Sequence, residues 1–182
     1  HTFIRTLESF EFSVSRLNAL VLSFFRRFAQ LLRERFAADF QQAIREAQHQ
    51  PMIVNDATEL AKVLSVCWLK PGEAEQLAKQ PFPLSLPFSQ TYPLCCMDIR
   101  SLVEQYYSFS QGMTQYHQEI DAILSQSLDD LLIQLISVNI RDTVEQSNNL
   151  SQIAQIIVNI EHFQLACSEL EKWLSDSSTP NP

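Results

Sequence analysis

HTFIRTLESFEFSVSRLNALVLSFFRRFAQLLRERFAADFQQAIREAQHQ, residues 1–50, decides the fold. Phe3, Leu7, Phe10, Val14, Leu17, Val21, Phe24, Phe28 and Leu31 recur at alternating steps of four and three. That spacing puts all nine on one stripe of an α-helix. Neither Pro nor Gly interrupts the run. Leu32, Phe36, Phe40, Ile44 and Ala47 continue it one residue out of phase, so the stripe is expected to shift round the helix near Leu31. An unbroken helix over this stretch would be about 75 Å long. A compact domain is far narrower, so other helices must line its side. The chain begins without Met inside this pattern and is expected to be a piece of a longer protein.

Outward from that helix, Pro51 disfavours helix at the residue before it, and Met52–Val54 reads as an extended connector. Asp56 with Glu59 three residues on has the form of a capping box. Leu60, Val63, Leu64, Cys67 and Trp68 form the apolar face that follows, closed by Pro71-Gly72. Pro71, Pro81, Pro83, Pro87 and Pro93 then forbid regular helix beyond a short turn around 73–79. Phe82, Leu84, Leu86 and Phe88 alternate between them and predict an extended segment that crosses the helices on its apolar side chains.

The helical period returns at Thr91. Cys95, Ile99, Leu102, Tyr106, Phe109 and Met113 form one stripe, with Gly112 expected to end or kink it. Tyr116, Ile120, Leu124, Leu128, Leu131, Leu135 and Val138 form the next. Asn149 with Gln152 predicts a second cap. Ile153, Ile156, Ile160, Phe163, Cys167, Leu170 and Leu174 complete the last helix, and the polar residues from Ser175 are expected to fray. The expected fold is all-α: an elongated, rod-like stack of long antiparallel helices with a proline-rich crossing segment. Its expected divisions are a long and a short helix over 1–70, a proline-rich extended connector over 71–93, a helical bundle over 94–176 and a disordered tail over 177–182.

Composition narrows the function. Two glycines in 182 residues leave no phosphate-cradling loop or dinucleotide fingerprint. Residues 1–50 carry seven Arg against five acids, a balance of +2, whereas the remainder carries −10. So acidic a body does not suit nucleic acid. Cys67, Cys95, Cys96 and Cys167 include no CxxC pair and the histidines have no ligand spacing, so no zinc or other cofactor is expected. Buried free thiols in a reducing cytosol account for the cysteines. The longest apolar run, 19–25, is far short of a membrane span.

No set of residues suggests an enzyme. Asp129 and Asp130 are helix neighbours and point about 100° apart, so they cannot share a substrate atom. Glu161-His162 lacks the second histidine of a helical zinc protease, and His162 is expected at the surface or its boundary. Arg26, Arg27, Arg33 and Arg35 are the one concentrated positive group. They read either as a solvated helix face or as a docking surface for an acidic partner or anionic membrane.

Two blocks carry a family resemblance. The first is Leu86-Pro87-Phe88-Ser89-Gln90-Thr91-Tyr92-Pro93; the second is Gln155-Ile156-Ile157-Val158-Asn159-Ile160-Glu161-His162-Phe163. Between and after them stand Ser127–Leu132 and Ala166–Glu171. In this order and separation they resemble the Rab-effector subunit family of the exocyst, numbered fifteen in the Sec series, and Ile160–Phe163 is closer to its fungal members. The blocks are turn and packing signatures, so no active site is carried over.

The resemblance implies a non-enzymatic cytoplasmic segment of a subunit that tethers secretory vesicles at the plasma membrane. Its implied partners are other exocyst subunits and a Rab GTPase, with only peripheral, indirect membrane association. In the family the Rab contacts helices nearer the C-terminus than this stretch, so no Rab-contacting residue is assigned. The alternative from the pattern alone is a helical-bundle adaptor unrelated to tethering.

Overall fold

The computed structural model describes residues 2–10, 12–111 and 113–178. Among them the first stretch is two helices, α1 (Thr2–Ser9) and α2 (Ser15–Glu46). The expected unbroken helix is thus corrected. At the break the Phe10 and Phe12 N–H groups both donate to the Leu7 carbonyl, each at 3.1 Å. Aromatic, β-branched and serine residues from Phe10 to Ser15 are weak helix formers, and of the described ones there Val14 alone is buried. The helix also stops four residues short of Gln50, and the chain reverses through His49 at φ 48° before Pro51.

The buried seam of α2 is Phe25, Ala29, Phe36 and Phe40, with Phe28, Leu32 and Ile44 half-buried beside it. This is the second expected stripe, prolonged backwards without a shift. The first stripe is mostly outside: Phe3, Phe10, Phe24 and Leu31 are 67%, 70%, 57% and 46% exposed. Val14 alone of its nine residues is fully buried. Doublets such as Phe24-Phe25 and Leu31-Leu32 offer two adjacent seams, and packing against later helices selects one of them.

After α2, β1 (Ile53–Val54) pairs antiparallel with β2 (Leu84–Ser85), Ile53 opposite Ser85 and Val54 opposite Leu84. The Met52 N–H donates to the Phe88 carbonyl at 2.9 Å and the Leu86 N–H to the Met52 carbonyl at 2.7 Å. The connector and the proline-rich stretch therefore satisfy each other's backbone. Leu84, Leu86 and Phe88 alternate into the core, whereas Phe82 is more than a third exposed.

Between the strands lie α3 (Ala57–Val66) and α4 (Glu73–Ala78). Asp56 caps α3 as expected, its Oδ1 accepting the Glu59 N–H at 2.8 Å. The Glu59 carboxylate in turn accepts from the N–H of Asn55, one residue earlier than a capping box requires.

Helix α5 (Thr91–Ser110) buries Tyr92, Cys95, Cys96, Ile99, Leu102, Val103 and Tyr106 against α2 and α3. Phe109, expected in that seam, is 43% exposed and stacks on Phe28 at 4.0 Å. Gly112 lies outside the described residues, and α5 already ends at Ser110.

A 3-10 turn (Thr114–Tyr116) leads into α6 (His117–Asp129), a π-helical segment (Asp130–Ser137) and α7 (Val138–Gln146). Ile120, Leu124, Leu128 and Leu131 are buried as expected, but the next buried residues are Ile136 and Ile140, not Leu135 and Val138. The wide π turn holds one extra residue, and the face advances by one.

The last helix, α8 (Leu150–Ser178), begins with the Asn149 side chain accepting from the Ser151 and Gln152 N–H groups. It runs on as helix to Ser178; residues 179–182 lie outside the described ones. The fold is all-α but for the strand pair, and one continuous core links α2 to α8.

Candidate functional site

Helical geometry sorts the four arginines. With Phe25 and Ala29 facing inward, a rotation of about 100° per residue puts Arg26 and Arg33 on one flank of α2, Arg35 on the other, and Arg27 outward. Arg33 is turned inward: its Nη1 forms an ion pair with Asp130 Oδ2 at the start of the π segment. Gln126 Nε2 holds the other oxygen of that carboxylate at 3.0 Å. Arg27 stands 3.9 Å from Glu34, and Arg35 stands 3.9 Å from Asp39. Pairs so long and exposed contribute little to stability. Arg26, Arg27 and Arg35 are thus exposed on different sides of α2, and the structure does not bring the four together as one face.

Beside Arg27 runs a line of exposed apolar side chains. Leu20, Phe24 and Leu31 protrude, and Leu17 is half-buried in the same column. Phe3 of α1 and Phe10 in the break after it are exposed as well. The accessible surface is 11315 Å², against about 9,000 Å² for a compact monomer of this mass. Exposed apolar side chains in such a line mark an interaction surface.

A second apolar feature is a cleft of about 570 Å³ between the π segment with α7 and α8, lined by Leu132, Ile136, Ile140, Ile160, Phe163 and Cys167.

The two sequence blocks that carried the family resemblance meet in the core. Asn159 of α8 accepts the Ser89 N–H on its Oδ1 at 2.9 Å and donates through Nδ2 to Ser89 Oγ at 2.7 Å. Gln155 Nε2 donates to the Pro87 carbonyl at 3.0 Å. Phe88 and Tyr92 lie 5.2 and 5.3 Å from the His162 ring.

His162 is 4% exposed, which corrects its expected surface position. Its Nδ1 donates to the Val158 carbonyl at 2.8 Å and its Nε2 faces Glu73 Oε1 at 3.3 Å. The sequence offered no signal for this placement, because Ser89 and Glu73 lie 70 and 89 residues from their partners. Nearby, Tyr92 donates to the Trp68 carbonyl at 2.5 Å. The Arg100 guanidinium sits 4.0 Å over the Trp68 ring while its Nε donates to the Val66 carbonyl.

The groups that could do chemistry are taken up by this packing. Burial pushes the Cys95 and Cys167 thiols up. Cys67 is raised by its hydrogen bond to Cys96 and by burial. Burial acts upward on Cys96 too, but hydrogen bonds from Cys67, the Trp68 backbone and Tyr92 bring it below its ordinary value. At 1% exposure it meets no solute. Of the adjacent aspartates, Asp130 is held by Arg33 while Asp129 faces solvent. Among the described residues no group of three His, Cys, Asp or Glu is placed to hold a metal, and no helix is long and apolar enough to cross a membrane.

Known proteins resemble the chain along nearly its whole length. The chain is 28% identical over 178 residues to Exocyst complex component SEC15 of Saccharomyces cerevisiae, covering 95% of this chain and 20% of that protein. It is 27% identical over 175 residues to Exocyst complex component 6 of Rattus norvegicus, covering 96% of this chain and 21% of that protein. Exocyst complex component sec15 of Schizosaccharomyces pombe is 24% identical over 171 residues. The chain thus spans about one-fifth of the length of the curated relatives it matches. No solved structure matches it. Residues 16–182 match the family described as Exocyst complex subunit Sec15 C-terminal, and to that family the chain belongs.

Proposed function

We propose that this chain is a non-enzymatic helical interaction segment of an exocyst subunit, acting in the tethering of secretory vesicles to the plasma membrane. The family match over 16–182 carries the reading. The molecule's own features support it: Cys67, Cys95, Cys96 and His162 are buried, while apolar and basic side chains of α2 are presented outward. Its partners are the other exocyst subunits, with a Rab GTPase engaging the parent protein outside this segment. It is cytoplasmic and reaches vesicles and sites of exocytosis peripherally, through those partners. Exposed arginines Arg26, Arg27 and Arg35 speed association with acidic surfaces, whereas Arg33 serves the fold. Depletion of the parent protein tests the reading: secretory vesicles counted by electron microscopy accumulate, and re-expression clears them. An unchanged vesicle number overturns it.

A further inference from the structure

The exposed line on α2 has a regular form. Leu17, Phe24 and Leu31 are seven apart, with Val21 and Phe28 half-buried between them, which is the alternating three-and-four spacing of a coiled-coil seam. The fold uses the neighbouring columns, through Phe25, Ala29 and Leu32, for its own core. Leu20 widens the outward column on one side, and Arg16 and Arg27 border it there. From Phe12 to Arg33 the chain contains no acid; of its four Arg, Arg16 and Arg27 stand beside the ridge, Arg27 at 3.9 Å from Glu34, whereas Arg26 lies on the other flank and Arg33 pairs with Asp130.

We infer that this ridge docks an amphipathic α-helix with acidic flanks, supplied by another subunit of the complex. The inference rests on the proposed exocyst role for the identity of the donor, and on spacing and charge for its chemistry. A second copy does not fit, since pairing two such ridges brings Arg27 of one against the arginines of the other. A lipid surface does not fit either: the apolar column is narrow, and seven-residue spacing is suited to the knobs of a facing helix. Truncating or charging an anchoring side chain in such a seam weakens binding most, and the flanking charges set partner choice.

The test uses the full-length parent protein and two designed helical peptides with Leu seams, one with Glu flanks and its twin with Lys flanks. The Glu peptide binds more tightly, by about tenfold or more for a well-formed seam. Phe24→Glu abolishes that binding, and Arg27→Glu with Arg16→Glu reverses the preference. Equal binding of both peptides, or binding indifferent to Phe24→Glu, overturns the docking chemistry.

The donor is tested separately, by Leu20→p-benzoylphenylalanine in the assembled complex. Photo-cross-links to an acidic-flanked helix of another exocyst subunit support the inference. Links to a second copy, to another segment of the same polypeptide or to phosphatidylserine vesicles overturn it. If the parent enters no exocyst complex, the proposed function fails even where the peptide preference stands.

Discussion

At the residue scale, the choice between two adjacent apolar columns on α2 has measurable consequences. Phe25 is 1% exposed and meets Tyr106 and Phe109, whereas Phe24 faces solvent. Phe25→Ala should cost about 3–5 kcal/mol, the range for a buried phenylalanine. Phe24→Ala should stay within about 0.5 kcal/mol, as a surface change does. Thermal melting of the two variants checks both, and a larger loss for Phe24 contradicts the assigned seam. The spacing of this helix was legible in the sequence; its phase was not, because Phe24-Phe25, Phe28-Ala29 and Leu31-Leu32 fit either seam equally well.

Asp98 offers a pH-dependent check on the same scale. Burial lifts its carboxyl above the ordinary 3.8, Asp39 adds to this, and Arg35 opposes it. A carboxyl raised in the folded state disfavours its own charge there. Its contribution is therefore fully present below the unfolded value and lost as pH rises through the folded one. Asp98→Asn should then raise the melting temperature near neutral pH, and the gain should shrink towards zero below the ordinary carboxylate range. A gain that grows on acidification contradicts the sign.

At the element scale, the caps were readable because they are local. Asp56 and Asn149 each hold N–H groups within three residues. The link between the Pro87–Ser89 turn and α8 was not, since it joins side chains 70 residues apart. Nothing in the period of α8 marks Gln155, Asn159 and His162 as inward, because a polar residue on a helix reads as surface until its partner is known. Asn159→Ala should strand the Ser89 N–H and hydroxyl in the core, at a cost of about 1–3 kcal/mol for each buried group left unpaired. Chemical denaturation measures it, and a neutral result would show that solvent reaches Ser89.

The π segment allows a sharper contrast. It holds one residue more than an α-helix needs between Leu131 and Ile136. Deleting exposed Gln134 should tighten it to α-helix and leave Ile136 and Ile140 on their seam, so the molecule folds with a modest loss of stability. Deleting exposed Glu161 from α8 should rotate everything after it by about 100° and abolish cooperative unfolding. Circular dichroism melts of both deletions decide it, and equal damage from the two contradicts the reading of the π turn.

At the scale of the whole molecule, α2 is the spine. At 32 residues it is about 48 Å long, and α5, α6, the π segment and α7 all pack along it. The all-α class and the flanking of one long helix by others were legible from periodicity and low glycine content. The strand pair was not, because two residues per strand carry no period.

A molecule built round such a spine, with an apolar line and a cleft left open on its surface, presents faces to neighbours. On the proposed function those neighbours are the other subunits of the exocyst. Affinity isolation of the tagged full-length parent protein, followed by quantitative mass spectrometry, tests this most directly. The account predicts that the other exocyst subunits are recovered in amounts comparable with the parent and are depleted when α2 carries Leu20→Glu and Phe24→Glu. Recovery of the parent without them, or undiminished recovery with the substituted α2, would contradict it.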